Sequence, residues 1–371
     1  MLIQKKTLYA FETDQFEDLN NLSLCREEPV PDPDNPVLTG SISGEQDDRK
    51  ICYTSSVERL NKGYGMWYQV ENTPGDFARC LATSSDGFNW EKQGVIGEGL
   101  FNTIGNSFNV YNDGDRFLAP LTALGTKTSS KSPYAALQPE DIPDKRRRTM
   151  AEKSIAKSSR SGVVSFIGVA NSSDGVHWTM PEQTLRLPMK LETPWIYRFQ
   201  GRYIMTAQTN GNWFDPPHPA SRIVVFFSSD DMYNWNVHPH CMTNTAYEDI
   251  DGQTHAGIVP IKCIDNRLLI GLGGRFDDGP ELPYQHFEIT LLYSTNGLDW
   301  KPVVPGHERR NWIRRGRRGE WDFGGVTGMG LVENGDQAAV YYNGTSIGNA
   351  SHSFPLYNPG PCQVGRVCFP R

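Results

Sequence analysis

Two stretches of this sequence carry carboxylates in the same arrangement. "GEQDDRKICY" starts at Gly44 and "GEWDFGGVTG" at Gly319, so Glu45 matches Glu320 and Asp47 matches Asp322. Asp48 is the neighbour that competes with Asp47. Two further acidic stretches are "LETPWIYR", with Glu192, and "YEDIDGQTHAG", with Glu248, Asp249, Asp251 and His255. Carboxyl groups brought to one place raise one another's pKa and separate a proton donor from a base, and two such groups flanking a sugar bond are what glycoside cleavage needs. The candidates for that chemistry are Asp47, Glu192, Asp251 and Asp322. Trp195, Trp213 and Trp321 can stack on sugar faces, and Arg198 and Arg275 can hold hydroxyls or an acidic group. Asp48, Glu248, Asp249, His255 and Glu320 complete the expected binding set. No tight ligand spacing of the HExxH kind is present, so neither a metal nor another cofactor is expected.

These residues need a scaffold that brings distant segments together, and the sequence repeats one. A strand, a Ser-Asp-Gly turn and a tryptophan occur as "CLATSSDGFNW" (80–90), "GVANSSDGVHW" (168–178), "FFSSDDMYNW" (226–235) and "LLYSTNGLDW" (291–300). The Asp side chain bonds amides of its own turn, Gly takes the positive φ, and Trp folds back over the sheet. Asp86, Asp174, Asp230 and Asn296 are therefore read as structural, the third copy having one residue more before its Trp. An aromatic-rich strand precedes each hairpin: "YGMWYQV", "DRFLAPL", "GRYIMTA" and "NRLLIGL". A fifth unit is "QAAVYYNG" with "CQVGRVCF". The expected fold is all-β, a five-bladed β-propeller with four-stranded blades near 38–98, 99–187, 188–242, 243–306 and 318–371. The acidic stretches precede the innermost strands, whose starts line one open end; the second unit offers only "FNTIGNSFNV" there. Residues 1–37 form an N-terminal extension packing on the propeller, and the Ser-, Lys- and Pro-rich insert at about 126–162 is disordered or a lid.

Bulk properties agree with that scaffold. In 371 residues, Gly 36 and Pro 25 against 21% charged residues favour short strands and turns. A net charge of −7 argues against a nucleic-acid partner, and no apolar run is long enough for a membrane helix. Seven cysteines without CxxC spacing read as reduced, buried thiols, and with no secretory signal at the start the expected location is the cytoplasm. Two basic runs oppose the overall charge, "KRRR" at 145–148 and "RRNWIRRGRR" at 309–318, the second leading into "GEWDFGG".

The motifs "NPVL" (35–38), "YGMWY" (64–68), the SSDGxxW hairpins, "GRYIM" (201–205) and "GEWDFGG" (319–325) resemble the five-bladed propeller glycoside hydrolases, the superfamily that includes families 43, 32 and 117 and the family 130 phosphorylases. The resemblance implies an acidic triad. Asp47 would be its first-blade member, with Glu192 and the Glu248–Asp251 cluster supplying the acid and the residue that tunes it. The "NDPNG"-type start of fructan-cleaving members is absent. The hairpin is also similar to the sialidase Asp-box, but that box has one residue between Asp and Gly, and no arginine triad can be assigned. The expected function is an exo-acting glycosidase on a terminal sugar of an oligo- or polysaccharide. The alternatives are a non-catalytic carbohydrate-binding propeller, or a phosphorylase with Arg198, Arg275 or the 314–318 arginines holding phosphate. The partner is a carbohydrate, and the oligomeric state is left open.

Overall fold

A computed structural model describes residues 28–39, 50–51, 56–73, 76–96, 108–126, 163–179, 184–187, 191–210, 222–242, 255–277, 284–303, 311–335, 337–346, 349–350 and 362–370. Among these residues every regular element is a strand. Two short ones open the chain, β1 (Val30–Pro31) and β2 (Lys50–Ile51). Successive antiparallel meanders follow. The first is β3 (Ser56–Arg59), β4 (Tyr64–Thr73), β5 (Asp76–Ser84) and β6 (Glu91–Ile96). The second is β7 (Tyr111–Asn112), β8 (Phe117–Thr126), β9 (Val163–Ser172) and β10 (Thr184–Leu187). The third is β11 (Glu192–Phe199), β12 (Arg202–Asn210), β13 (Arg222–Ser229) and β14 (Asn236–Met242). In the fourth, β15 (His255–Ile264) pairs β16 (Leu268–Asp277), which pairs β17 (Tyr284–Ser294), and β17 carries the short β18 (Lys301–Pro302) and β19 (Asn311–Ile313). The last comprises β20 (Gly325–Asn334), β21 (Gln337–Thr345) and, beyond β22 (Asn349–Ala350), β23 (Cys362–Pro370), on whose outer edge β1 pairs.

Apolar clusters join each meander to the next. Trp67 and Leu81 of the first pack with Phe117 and Leu121 of the second. Leu118 and Val169 of the second meet Met205 and Phe227 of the third. Ile204 and Phe226 of the third meet Ile258 and Leu292 of the fourth. Leu272 and Ile289 of the fourth meet Val340 and Phe369 of the last, and Met329 and Tyr341 of the last meet Met66 and Cys80 of the first. Each fully buried large side chain contributes about 1.5–3 kcal/mol, so the apolar faces between sheets carry most of the stability. The first strands of the meanders touch in the same cyclic order, β3 against β7, β7 against β11, β11 against β15, β15 against β20, and β20 back against β3. Val110 N–H donates to Ser56 Oγ (2.8 Å) and Asn109 Nδ2 to the Pro194 carbonyl (2.8 Å), fastening two of these contacts.

The N-terminal segment holds the last meander to the first. Asp32 pairs with Arg366 (2.7 Å), whose guanidinium also donates to the Phe88 carbonyl of the first hairpin (2.6 Å) and lies over the Phe88 ring. Asn35 brackets Arg366, donating to its carbonyl and accepting from its amide, both at 2.8 Å.

The repeated hairpin turns form as their residues dictate. Asp86 Oδ1 accepts from the amides of Phe88 and Asn89, each at 2.8 Å, while Asn89 Nδ2 reaches its other oxygen (2.7 Å). Ser84 Oγ accepts from Gly87 N–H (2.8 Å). Asp174 and Asn296 make the same amide bonds. The third copy corrects the sequence reading. Asp231, not Asp230, accepts from Tyr233 and Asn234, and Met232 takes the left-handed position at φ 64° that glycine fills elsewhere. The copy therefore has no extra residue; counted from Ser229 it is in register with Ser84. Asp230 stands exposed beside Arg202 instead (3.5 Å). The turns also clamp neighbouring meanders: Tyr341 Oη donates to the Gly87 carbonyl (2.6 Å), Trp67 Nε1 to Gly175 (2.8 Å) and Tyr197 Oη to Gly297 (2.7 Å). Cys80, Cys263 and Cys368 are free thiols, and Cys263 is exposed, unlike the expected buried set. Among the described residues no helix is long and apolar enough to cross a membrane.

Candidate active site at the entrance to the first strands

Because neighbouring strands alternate in direction, the starts of β11, β15 and β20 lie at the end opposite the Ser-Asp-Gly turns. Glu192 opens β11, opposite Gln208 of β12. Thr193 follows it at φ 47°, inside a register shift between Glu192 and Trp195. A β-branched residue in the left-handed region is a steric outlier, and such strain is retained where a side chain must be aimed. Thr193 Oγ1 donates to Gln208 Oε1 (3.5 Å), tying the irregular start to the second strand. Asn109, buried, bonds the next carbonyl along, that of Pro194.

Two expected binding residues of β11 lie elsewhere. Trp195 is buried among Val259, Leu272 and Ile289, its indole beside Gly257, so it packs between the third and fourth sheets instead of offering a face to a sugar. Arg198 sits six residues beyond Glu192, about 20 Å along a strand at ~3.3 Å per residue. It lies over the Tyr203 ring (5.5 Å), close to the Tyr203–Asp113 hydrogen bond (2.7 Å) at the turn end. It does not reach the entrance.

In the fourth meander His255 and Arg275 are direct partners, and Arg275 is in turn opposite Glu288. Backbone register thus places residues His255, Arg275 and Glu288 in one row near the start of β15. Asn311 of β19 donates to Glu288. Buried His286 places Nδ1 3.0 Å from the Gly324 carbonyl and its ring edge-on to Phe323.

The turn before β20 brings Glu320, Trp321 and Asp322 together. Glu320 N–H donates to the Arg317 carbonyl (2.9 Å), Gly325 N–H to Asp322 (3.2 Å) and Gly324 N–H to Thr345 (2.6 Å). Glu320 is exposed and its carboxylate accepts from Arg317 N–H, whereas Asp322 is buried. Both carboxyls face Gly316, where an added Cβ would strike Asp322 Oδ1 and Glu320 Oε2. Burial pushes the Asp322 carboxyl above its ordinary value, and the charge of Glu320 adds to this; backbone amides and the Tyr342 hydroxyl, which donates to Oδ2 (3.4 Å), work against it. Trp321 stacks on Tyr342 (5.7 Å, 20°) and covers Gly344 and Gly365, so it is half-buried with its ring laid on the last meander. An exposed acid beside a buried carboxyl whose proton affinity is raised is the division of labour that acid–base catalysis uses.

Asp47, Asp48, Trp213, Glu248, Asp249 and Asp251 lie outside the described residues, as does the sequence insert after Thr126 up to residue 162. The sequence reading missed Tyr342 and Glu288, which are placed by cross-strand pairing, and Gly316, which is placed by the turn that folds back before β20. It also missed Glu58, a charge within the four-residue β3. That side chain keeps some exposed surface, yet burial of its carboxyl pushes it up to about 8, opposed by the Asn112 amide that bonds it. Among the described residues no group of three His, Cys, Asp or Glu is arranged to hold a metal.

No family model matches this chain, and no curated protein matches it. Solved structures do. One described as a glycoside hydrolase has a TM-score of 0.57 at 12% identity, over 91% of this chain and 92% of that one. Another comes from work on the GH130 mannoside phosphorylase family, described as containing glycoside hydrolases that target β-1,2 mannosidic linkages in Candida mannan; it aligns with a TM-score of 0.52 at 11% identity, over 95% and 96%. An N-acetylgalactosamine deacetylase from F. plautii, in complex with blood group B trisaccharide, gives 0.53 at 15% identity, over 92% and 95%. At these identities the likeness is one of fold. The chain resembles, along nearly its whole length, the propeller fold of the glycoside hydrolase superfamily.

Proposed function

We propose that this chain is a five-bladed β-propeller of four-stranded blades and that it acts as a glycosidase on a terminal sugar of an oligo- or polysaccharide. The blade count is supported by the consecutive meanders, the cyclic contacts of β3, β7, β11, β15 and β20, and the pairing of β1 as the outer strand of the last sheet. On this reading the propeller spans residues 38–371 with β1 added as the outer strand of its last sheet, and Asp32 and Asn35 fasten that strand's segment to Arg366.

The observation that carries the glycosidase reading is Asp322, buried at the entrance with its proton affinity raised, next to exposed Glu320 across Gly316. In the proposed reaction the Asp322 carboxyl gives its proton to the leaving glycosidic oxygen as the bond to the anomeric carbon breaks. A water oxygen completes that carbon, its proton passing to a carboxylate on another blade. Glu192, held by the strained start of β11, takes that role, and Asp47 and Asp251 complete the proposed catalytic set. The fold also hosts a deacetylase, so likeness of fold alone does not select the reaction. What favours glycoside cleavage is a buried carboxyl of raised proton affinity, Asp322, with Glu192 at the start of a strand at the same end.

A panel of aryl pyranosides and furanosides, assayed with and without inorganic phosphate, tests this. Wild type is expected to release the aglycone without phosphate. Asp322→Asn should lose about 10²–10⁴-fold with a poor leaving group and much less with a dinitrophenyl one, which needs little protonation. A non-catalytic module would turn over nothing on the panel, and strict dependence on phosphate would make the reaction phosphorolysis.

A further inference from the structure

The basic run before the carboxyl pair has no part in the chemistry above. The chain crosses there from β19, the outer strand of the fourth meander, to the start of β20, so residues 314–319 pass over the entrance end. Of the arginines in this stretch, Arg315 is fixed: it donates to the Phe323 carbonyl (3.2 Å) and lies over the Phe323 ring (5.1 Å). Gly316 presses on the two carboxyls, and the Arg317 amide and carbonyl are held by Glu320. The backbone is thereby pinned, while the side chains of Arg314, Arg317 and Arg318 are exposed and have no carboxylate partner among the described residues. Glu320, the nearest exposed acid, spends its carboxylate on a backbone amide of the loop.

A protein of net charge −7 that carries three exposed arginines on one short loop of pinned backbone, with no carboxylate partner for them among the described residues, concentrates positive potential there. Guanidinium is suited to oxyanions, because its planar N–H fork matches carboxylate, sulfate and phosphate oxygens two at a time. We propose that Arg314, Arg317 and Arg318 form an oxyanion site on the rim of the entrance. The anion is carried by an acidic saccharide, as a carboxylate or sulfate on the sugar next to the scissile one, or arrives free as phosphate. The saccharide form rests on the glycosidase reading; the oxyanion site itself does not.

The test is therefore a binding measurement that needs no turnover. Isothermal titration of the full chain with inorganic phosphate, with an oligogalacturonate, and with the methyl ester of that oligogalacturonate separates the sources. Wild type is expected to bind phosphate or the free acid at least 10-fold more tightly than the neutral ester, with affinity falling as sodium chloride rises from about 20 to 200 mM, as a screened charge interaction must. The variant R314Q/R317Q/R318Q should lose that preference while keeping the wild-type melting temperature, since these side chains are exposed and have no ion-pair partner among the described residues. Phosphate binding alone assigns the free anion, and binding of the acid assigns the substrate's own group. A wild type that binds neither, or a variant that binds as wild type does, overturns the proposal. Absence of glycosidase activity on every substrate would sink the preceding section and leave this result standing.

Discussion

At the turn end of the strands, Asp86 accepts two backbone amides and a side-chain amide; at the entrance, Asp322 is buried and accepts from the Tyr342 hydroxyl, its one side-chain donor among the described residues. For Asp86 burial works upward, but the amides of Asn89 and Phe88 and the side chains of Asn89 and Ser84 outweigh it and hold the group well below the carboxylate range. For Asp322 burial wins and the proton is held more tightly. The same side chain is thus a fixed acceptor in one place and a group of raised proton affinity in the other. What separates them is the supply of N–H donors: the turn supplies enough, and the entrance does not. Asn296, in the fourth turn, makes the same amide bonds as an aspartate without charge, so the turn needs an oxygen acceptor and not an ionised acid.

The contrast can be broken first at the entrance. Glu192→Gln should lower kcat by about 10²–10⁴-fold, the worth of one acid–base role, with the melting temperature nearly unchanged. Steady-state kinetics beside a thermal melt would check this, and a wild-type rate would remove Glu192 from the reaction.

Glycines sharpen the comparison next. Gly175 sits at φ 76°, and an added Cβ would lie 2.5 Å from the Trp67 ring. Gly175→Ala should cost about 2–4 kcal/mol in urea unfolding, from left-handed strain plus overpacking, and leave the rate per folded molecule intact. Gly316→Ala should do the reverse, slowing turnover by displacing both carboxyls while costing little stability. Equal effects of the two substitutions on rate would erase the distinction between the ends.

Acid should weaken the turn end. The amides of Asn234 and Tyr233 hold Asp231 at about 2, below its ordinary 3.8. A group with a depressed folded pKa contributes stability that is present above the unfolded value and is lost as pH falls through the folded one. Stability should therefore decline between about pH 4 and pH 2, and Asp231→Ala, which costs roughly 1 kcal/mol at pH 7 through lost hydrogen bonds, should flatten that decline. Denaturant titrations at the two pH values would show it. The smallest effect is expected at the neighbouring residue: Met232→Gly should relieve a left-handed methionine and stabilise by less than about 1 kcal/mol, since glycine returns part of the gain as chain entropy.

The turns were legible because every group they use lies within six residues of sequence. Their one misreading, Asp230 for Asp231, arose because methionine stands where glycine marks the left-handed position. The two acids of "GEWDFGG" stood out in the sequence as a repeat of the first acidic stretch, but that their carboxyls meet at Gly316 did not. Gly316, Tyr342 and Glu288 were not legible, because their places depend on how a turn folds back or on which residues face each other across strands. Arg198 was misplaced for a related reason: it follows Glu192 closely in sequence, but an extended strand carries it to the other end. Trp195 was read as a platform from its residue type, whereas the side of β11 on which it falls puts it in the core between two sheets.

The most direct test is the pH dependence of kcat/KM for wild type, Asp322→Asn and Asp86→Asn on one glycoside with a poor leaving group. Wild type and Asp86→Asn are expected to share a rate that falls as pH rises, where the entrance acid gives up its proton, and Asp322→Asn should lose both the rate and that alkaline limb. A profile unchanged by Asp322→Asn, or abolished equally by Asp86→Asn, would contradict the division between a working entrance and a structural turn end.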